Sequence, residues 1–172
     1  MLNYLSLALR PTPTPPKLGQ ESVWDYPRPP KVEDVSKRIR IIFNDRLIVD
    51  TSRSKRILET SHPPNYYIPI EDIQTEYLVQ SRHSSYCEWK GQARYYHLQV
   101  GDRQAQNVAW DYPNISPNYV ELEGHISFYP APMDACYVDD EKAQPQAGNF
   151  YAGWITSDIV GPFKGEPGSW GW

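Results

Sequence analysis

Three short stretches hold most of the side chains in this chain that could do chemistry: Glu59-Thr60-Ser61-His62, Cys87-Glu88-Trp89-Lys90-Gly91 and Trp110-Asp111-Tyr112. A cysteine three residues before a lysine can become a thiolate held by the ammonium, ready to attack or be oxidised. Glu88 works against that, because a neighbouring negative charge disfavours the thiolate, and a cysteine can equally be a small buried apolar residue. Lys90 either holds an anionic ligand or pairs with Glu59 or Asp111. His62 is a general base or a hydrogen-bonding loop residue. The candidate catalytic residues are therefore Cys87, His62 and Glu59. The candidate ligand-binding residues are Thr60, Tyr66, Tyr67, Lys90, Tyr95, Trp110, Asp111 and Tyr112, collected on loops and strand ends where a sheet can hold them rigidly.

Metal chemistry finds no support in the spacing. A structural zinc site takes four soft or imidazole ligands. The available set is Cys87, Cys136, His62, His83, His97 and His125, and only His83 and Cys87 lie close in sequence. No metal site and no cofactor is expected.

The elements that must position these residues read as β-structure. Seventeen prolines, thirteen tyrosines and six tryptophans, with few helical runs, indicate a turn-rich all-β domain. "RIRIIFNDRLIVDT" (38–51) is two alternating β-branched runs around Asn44-Asp45, both tolerant of the positive φ a tight hairpin needs. "KRILE" (55–59) follows as a strand, and the paired prolines of "TSHPPNYYIP" (60–69) exclude helix. "IQTEYLVQS" (73–81) alternates as a strand. "QARYYHLQV" (92–100) puts Ala93, Tyr95, His97 and Gln99 on one face and Arg94, Tyr96, Leu98 and Val100 on the other. Gly101-Asp102 turns the chain into "QNVAWDYP" (106–113), and "SPNYVELEGH" (116–125) has the serine, proline and glycine of one short helix. "HISFYP" (125–130) is a last strand. The tetrapeptide Trp-Asp-Tyr-Pro occurs at 24–27 and again at 110–113, a pairing that predicts similar places in the fold.

The expected organisation is a flexible proline-rich arm over residues 1–20, a single domain over 21–142, and a Gly/Trp-rich strap over 143–172 packed on it. A net charge of −4 argues against a general nucleic-acid binder, and Arg53, Lys55 and Arg56 read as a solvated strand end. Two cysteines without a CxxC pattern fit a reducing cytosol. "MLNYLSLALR" has its charge after its apolar run, unlike a signal peptide, and no stretch approaches the length of a membrane span. The chain reads as cytoplasmic, with no membrane partner.

Four segments, "RIRIIFNDRLIVDTSRSKRILETSHPPNYYIPIEDI", "CEWKGQARYY", "NVAWDYP" and "GWITSDIVGPFKGEPGSWGW", resemble in order the bacterial domain-of-unknown-function family numbered 427. The resemblance runs from about residue 21 to the end. It implies a β-tent fold, in which coiled antiparallel sheets meet at an angle. Many β-tent relatives hold zinc through two CxxC knuckles, which this chain lacks, so aromatic packing is expected to replace the metal. The family is sometimes labelled nucleotidyltransferase-like. Such enzymes use a Gly-Ser turn for the triphosphate and paired carboxylates for magnesium. Here Gly168-Ser169 has no Asp-x-Asp behind it, Asp139-Asp140-Glu141 reads as a solvated loop, and "GPFKGEPG" lacks the lysine-serine pair of a phosphate loop.

The leading expectation is a small-molecule-binding or enzymatic domain whose cleft is made by residues 59–67, 87–90 and 110–112. The rival is a non-catalytic module in which the arm and the strap dock a protein partner. Nucleotidyl transfer and thiol redox chemistry are lesser alternatives.

Overall fold

The computed structural model describes residues 10–172. Residues 1–9 of the expected arm lie outside the described residues. Among the described residues, strands and short 3-10 turns build an all-β, mainly antiparallel fold with no closed barrel. A seven-stranded sheet has the order β2 (Lys31–Asp34), β5 (Lys55–Leu58), β6 (Asn65–Pro69), β10 (His125–Phe128), β9 (Arg103–Asp111), β8 (Gly91–Val100) and β7 (Leu78–Cys87). A four-stranded sheet runs β12 (Glu141–Lys142), β11 (Ala135–Val138), β3 (Ile39–Phe43) and β4 (Arg46–Thr51). Two ribbons complete it. β1 (Glu21–Ser22) runs parallel to β15 (Ile159–Val160), and β13 (Gln144–Pro145) runs antiparallel to β14 (Trp154–Ile155).

The main core lies between the two large sheets. Ile39, Ile41 and Phe43 of β3 and Ile48 and Val49 of β4 meet Tyr66, Ile68, Leu98, Val100, Val108, Ile126 and Phe128 of the seven-stranded sheet. The β3–β4 turn forms as its sequence requires, with Asn44 at φ 48° and Asp45 at φ 61°. Because successive side chains point to opposite faces, β8 serves two clusters: Leu98 and Val100 fill the inter-sheet core, while Ala93 and Tyr95 pack on the outer face with Trp110. The partner strands bulge beside β8. Register shifts occur between Gln80 and Ser84 of β7 and opposite Tyr96–Leu98 in β9, where Asn107 takes φ 53° and donates its N–H to His97 Nδ1 at 3.0 Å.

The outer face of the seven-stranded sheet carries the remaining aromatics. One row of paired residues crosses four strands: Tyr67 of β6 faces Ser127 of β10, Ser127 faces Trp110 of β9, and Trp110 faces Tyr95 of β8. Ser127 is small, so the flanking rings of Tyr67 and Trp110 come within 6.4 Å edge to face. Its hydroxyl is consumed by Tyr66 O at 2.8 Å.

The short helix expected over 116–125 is present as Pro117–Leu122, of 3-10 type, with Tyr119 leaving helical geometry to bury its ring and donate to Pro30 O. Two local expectations are corrected. Residues 73–81 are not one strand: Ile73 makes an isolated bridge to Val49, Thr75–Tyr77 is a 3-10 turn, and β7 begins at Leu78. The two Trp-Asp-Tyr-Pro copies are not equivalent. Trp24 sits in a 3-10 turn, Val23–Asp25, and packs on Trp172 and Ile159, whereas Trp110 ends a strand.

The C-terminal segment lies on the domain through specific bonds. Trp154 N–H donates to Pro64 O, Lys164 N–H to Ser61 O, and Trp24 Nε1 to Pro162 O, each at 2.9 Å. Residues 10–20 run along it, with Thr14 N–H on Gly161 O at 2.8 Å. Arg53, Lys55 and Arg56 are each paired, with Asp72, with Asp34, and with Glu21 and Glu33. Among the described residues no helix is long and apolar enough to cross a membrane.

Gly165 has φ +122°, and a Cβ there would overlap the Ala147 carbonyl, whereas Gly168 has φ +88° and open space. Gly165→Ala is expected to cost about 2–4 kcal/mol and Gly168→Ala about 1 kcal/mol, read from urea midpoints. Equal effects at the two positions would show that the C-terminal segment is not closely seated on residues 146–147.

Candidate functional site

A cavity of about 500 Å³ opens on the outer face of the seven-stranded sheet. Its floor is the row Tyr67, Trp110 and Tyr95, joined by Tyr129, whose ring lies 4.8 Å from that of Trp110. Its sides come from three places: the 59–65 loop, the β7–β8 hairpin and the C-terminal segment.

The loop side is locked by the backbone. Ser61 takes φ 73°, His62 N–H returns to Glu59 O at 3.0 Å, and Ser61 N–H reaches Val23 O at 3.0 Å. This turn brings His62 Nε2 to 3.2 Å from Glu59 Oε2, and Arg28 Nη2 lies 3.6 Å from the same oxygen. Gln146 fixes the imidazole from the other side. Gly153 N–H donates to its Oε1 at 3.1 Å, so its Nε2 donates to Lys164 O at 2.7 Å and to His62 Nδ1 at 3.2 Å. An acceptor at Nδ1 places the ring proton on Nε2, facing Glu59. Burial raises the Glu59 carboxyl, but His62, Arg28 and Lys90 outweigh it and hold its pKa below the ordinary range.

The hairpin side delivers Cys87 and Lys90. β7 and β8 pair up to Cys87–Gly91, residues 88–90 form the loop, and Gly91 takes φ +106°, which a side chain would strain. Lys90 is only 8% exposed. Among the described residues its ammonium makes no hydrogen bond and no ion pair, and it lies over the ring of Tyr112, 5.6 Å from the centroid. Burial pulls its pKa down, yet Tyr67, Cys87 and Glu59 more than reverse this, so the ammonium stays charged at neutral pH. The Tyr67 hydroxyl is also buried without a partner. Burial, with Tyr67 and Cys87 nearby, drives the Tyr112 hydroxyl far above the ordinary phenol range, and burial does the same to Tyr129, so both remain protonated.

Eight of the residues singled out in the sequence line this one hollow: Glu59, His62, Tyr67, Cys87, Lys90, Tyr95, Trp110 and Tyr112. Three do not. The Thr60 hydroxyl turns back to Tyr26 O, Tyr66 packs in the inter-sheet core against Trp154 at 4.9 Å, and Asp111 is held by Arg94 at 2.6 Å. Asp111 is held by Arg94 and Glu59 by His62 and Arg28, so Lys90 is in direct contact with neither of the partners weighed for it, and Glu59 acts on it only at longer range. Cys136 lies in the inter-sheet core, its thiol pushed up to about 12 by burial, on the far face of the sheet from Cys87.

Sequence reasoning missed Tyr129, Ser85 and the contribution of Gln146, Phe150, Tyr151, Ala152 and Lys164. Ser85 lies on β7 beyond the strand predicted over 73–81, and its hydroxyl meets Tyr95 Oη at 2.8 Å across the β7–β8 hairpin. Tyr129 was legible in principle, since it falls in the strand predicted over 125–130; the residues from Gln146 to Lys164 follow no periodic pattern.

The family model described as "Domain of unknown function (DUF427)" matches residues 31–139. The chain belongs to the DUF427 family. The matched stretch supplies the cavity floor, the Glu59 loop and the Lys90 hairpin, while the segment from Gln146 to Lys164 falls outside it. A search of curated proteins returned no match.

Because the Glu59 pKa is lowered in the fold, its ionisation stabilises the protein above the unfolded glutamate value of about 4.3, and that stability is lost as pH falls through the folded pKa. Glu59→Gln is expected to lower stability by about 1 kcal/mol at pH 7 and to flatten the acid limb of the stability–pH curve. Urea unfolding between pH 3 and pH 7 measures this, and an unchanged acid limb would contradict the Glu59–His62 arrangement.

Proposed function

We propose that this DUF427 protein binds a small molecule in the cavity between the Glu59 loop, the Lys90 hairpin and the C-terminal segment. The observation that carries this reading is Lys90, a buried ammonium with no counter-charge in contact among the described residues. A desolvated charge without a partner is costly, and sites that bind ligands keep such groups open for them. The aromatic floor and the volume of the hollow suit a small organic ligand. Cys87 and Cys136 are both free thiols, which supports a reducing, cytoplasmic setting.

Binding is favoured over catalysis by the state of His62. Both of its ring nitrogens are occupied, by Glu59 and by Gln146, so it holds Glu59 in place rather than standing open as a base. Of the candidate catalytic groups, the Glu59 carboxylate and the Cys87 thiol are the ones on the cavity wall with capacity left. Among the described residues no group of three or more His, Cys, Asp or Glu is placed to hold a metal ion, so nothing in the site favours nucleotidyl transfer.

A second reading rests on a different feature. Phe150 and Trp170 of the C-terminal segment are 74% and 65% exposed, the kind of aromatic surface that docks a protein partner.

A thermal-shift screen of metabolites against the wild-type protein and Lys90→Ala tests the binding reading. A ligand at about 100 times its Kd stabilises by about 2.7 kcal/mol, a rise of several degrees in Tm. The expected result is that at least one anionic ligand produces that rise in the wild type and a much smaller one in Lys90→Ala. An equal rise in both proteins removes Lys90 from the site, and a panel without any effect overturns the reading.

A further inference from the structure

We infer that the cavity takes a planar aromatic carboxylate: a ring seated on the Trp110 floor and a carboxylate received by Lys90 and the Tyr67 hydroxyl. This deepens the small-molecule reading above and rests on it.

The donors define the head group. Two polar groups on this side of the hollow offer protons without a protein acceptor: the Lys90 ammonium and the buried Tyr67 hydroxyl, beside which the Tyr112 hydroxyl lies. Neither proton is matched by a hydrogen-bond acceptor among the described residues, so the complementary group is an acceptor. A buried ammonium calls for one that is also charged. A carboxylate has two oxygens and lone pairs enough for both of these donors.

The charges of the wall define how much anion it tolerates. Lys90 and Lys164 are its cations, and Glu59 and Glu88 are its anions, so its own charges cancel. Lys164 is already engaged, with Nζ on Trp172 O at 3.1 Å. One free cation receives one negative charge. A di- or triphosphate would set several against Glu59 and Glu88, and the lining contains no arginine fork, no glycine and no helix N-terminus with which to hold them.

The floor defines the body. Trp110 is ringed by Tyr95 at 6.3 Å, Tyr67 at 6.4 Å and Tyr129 at 4.8 Å, and Ala93 and Ala152 are the small residues in the same cluster. Side chains of this kind reward a flat π-system by offset and edge contacts, and they exclude the water that would otherwise compete for Lys90. Aliphatic acids have the head group without the plate.

Titration calorimetry with three naphthalene probes separates the parts of this inference: 2-naphthoate, its neutral analogue 2-naphthylmethanol, and 2-naphthyl phosphate. The expected result is 2-naphthoate binding about tenfold or more tighter than either of the others, the strength of a charge-assisted hydrogen bond. Lys90→Met should lose that advantage while leaving 2-naphthylmethanol binding unchanged, and Tyr67→Phe, which removes only a hydroxyl, should weaken 2-naphthoate by about threefold to tenfold. If the alcohol binds as tightly as the acid, the carboxylate inference falls while the cavity reading stands. If the phosphate binds tightest, the ligand class is a phosphoester and the inference is overturned. If no naphthalene probe binds but the metabolite screen finds a Lys90-dependent ligand, the aromatic plate is wrong and the binding reading survives. Should Lys90→Met fail to fold, Tyr67→Phe with the same three probes carries the decision alone: no selective loss of 2-naphthoate overturns the proposal.

Discussion

The site depends on strand register. Tyr67, Ser127, Trp110 and Tyr95 stand opposite one another on four neighbouring strands, and the residues on either side of each point to the opposite face. A slip of one residue in any of these pairings would drive an aromatic ring into the inter-sheet core and lift a core residue into the cavity. The packing of Ile68, Leu98, Val108 and Phe128 against the four-stranded sheet therefore holds the floor of the hollow as firmly as the floor residues themselves do. The β7–β8 hairpin then needs only the turn at Gly91 to bring Lys90 over that floor.

The electrostatics of the region follow from which carboxylates are already taken. Arg94 and the Tyr96 hydroxyl claim Asp111, and His62 with Arg28 claims Glu59. The same economy operates on the opposite edge of the sheet, where Glu21 and Glu33 neutralise the half-buried Arg56. Lys90 departs from this pattern. Most of the surrounding charge is matched pairwise, and a cation left over in the least solvated part of the site is the feature that gives the cavity a polarity.

Much of the fold was legible in the chain. The Asn44-Asp45 hairpin, the β8–β9 pair and the last strand from His125 all announce themselves through alternation and turn residues. The site was legible as a set of segments but not at single-residue resolution, and strand parity explains the difference. Tyr66 and Asp111 are neighbours in sequence of Tyr67 and Trp110, and an extended backbone sends neighbours to opposite faces. A stricter use of that rule would have set Tyr66 apart from Tyr67 and Asp111 apart from Trp110. Gln146 and Tyr151 gave no such signal, because residues 146–153 follow no strand or helix period and are placed by the long-range bond of Gln146 to His62 and by those that the flanking Trp154 and Lys164 make to Pro64 and Ser61. Nor could any pattern say that Lys90 would be left without a partner, since that depends on where two distant carboxylates find theirs.

The bond between Gln146 and His62 joins two parts of the molecule with different relations to the family. The plate and its ammonium lie in the stretch that the family model matches, and the roof that closes over them comes from residues 146–164, after that match ends. That covering bears no ladder hydrogen bonds of the main sheets, so its side chains can be changed without disturbing the register beneath it. A chamber arranged in this way draws its outline and its charge from separate lengths of chain.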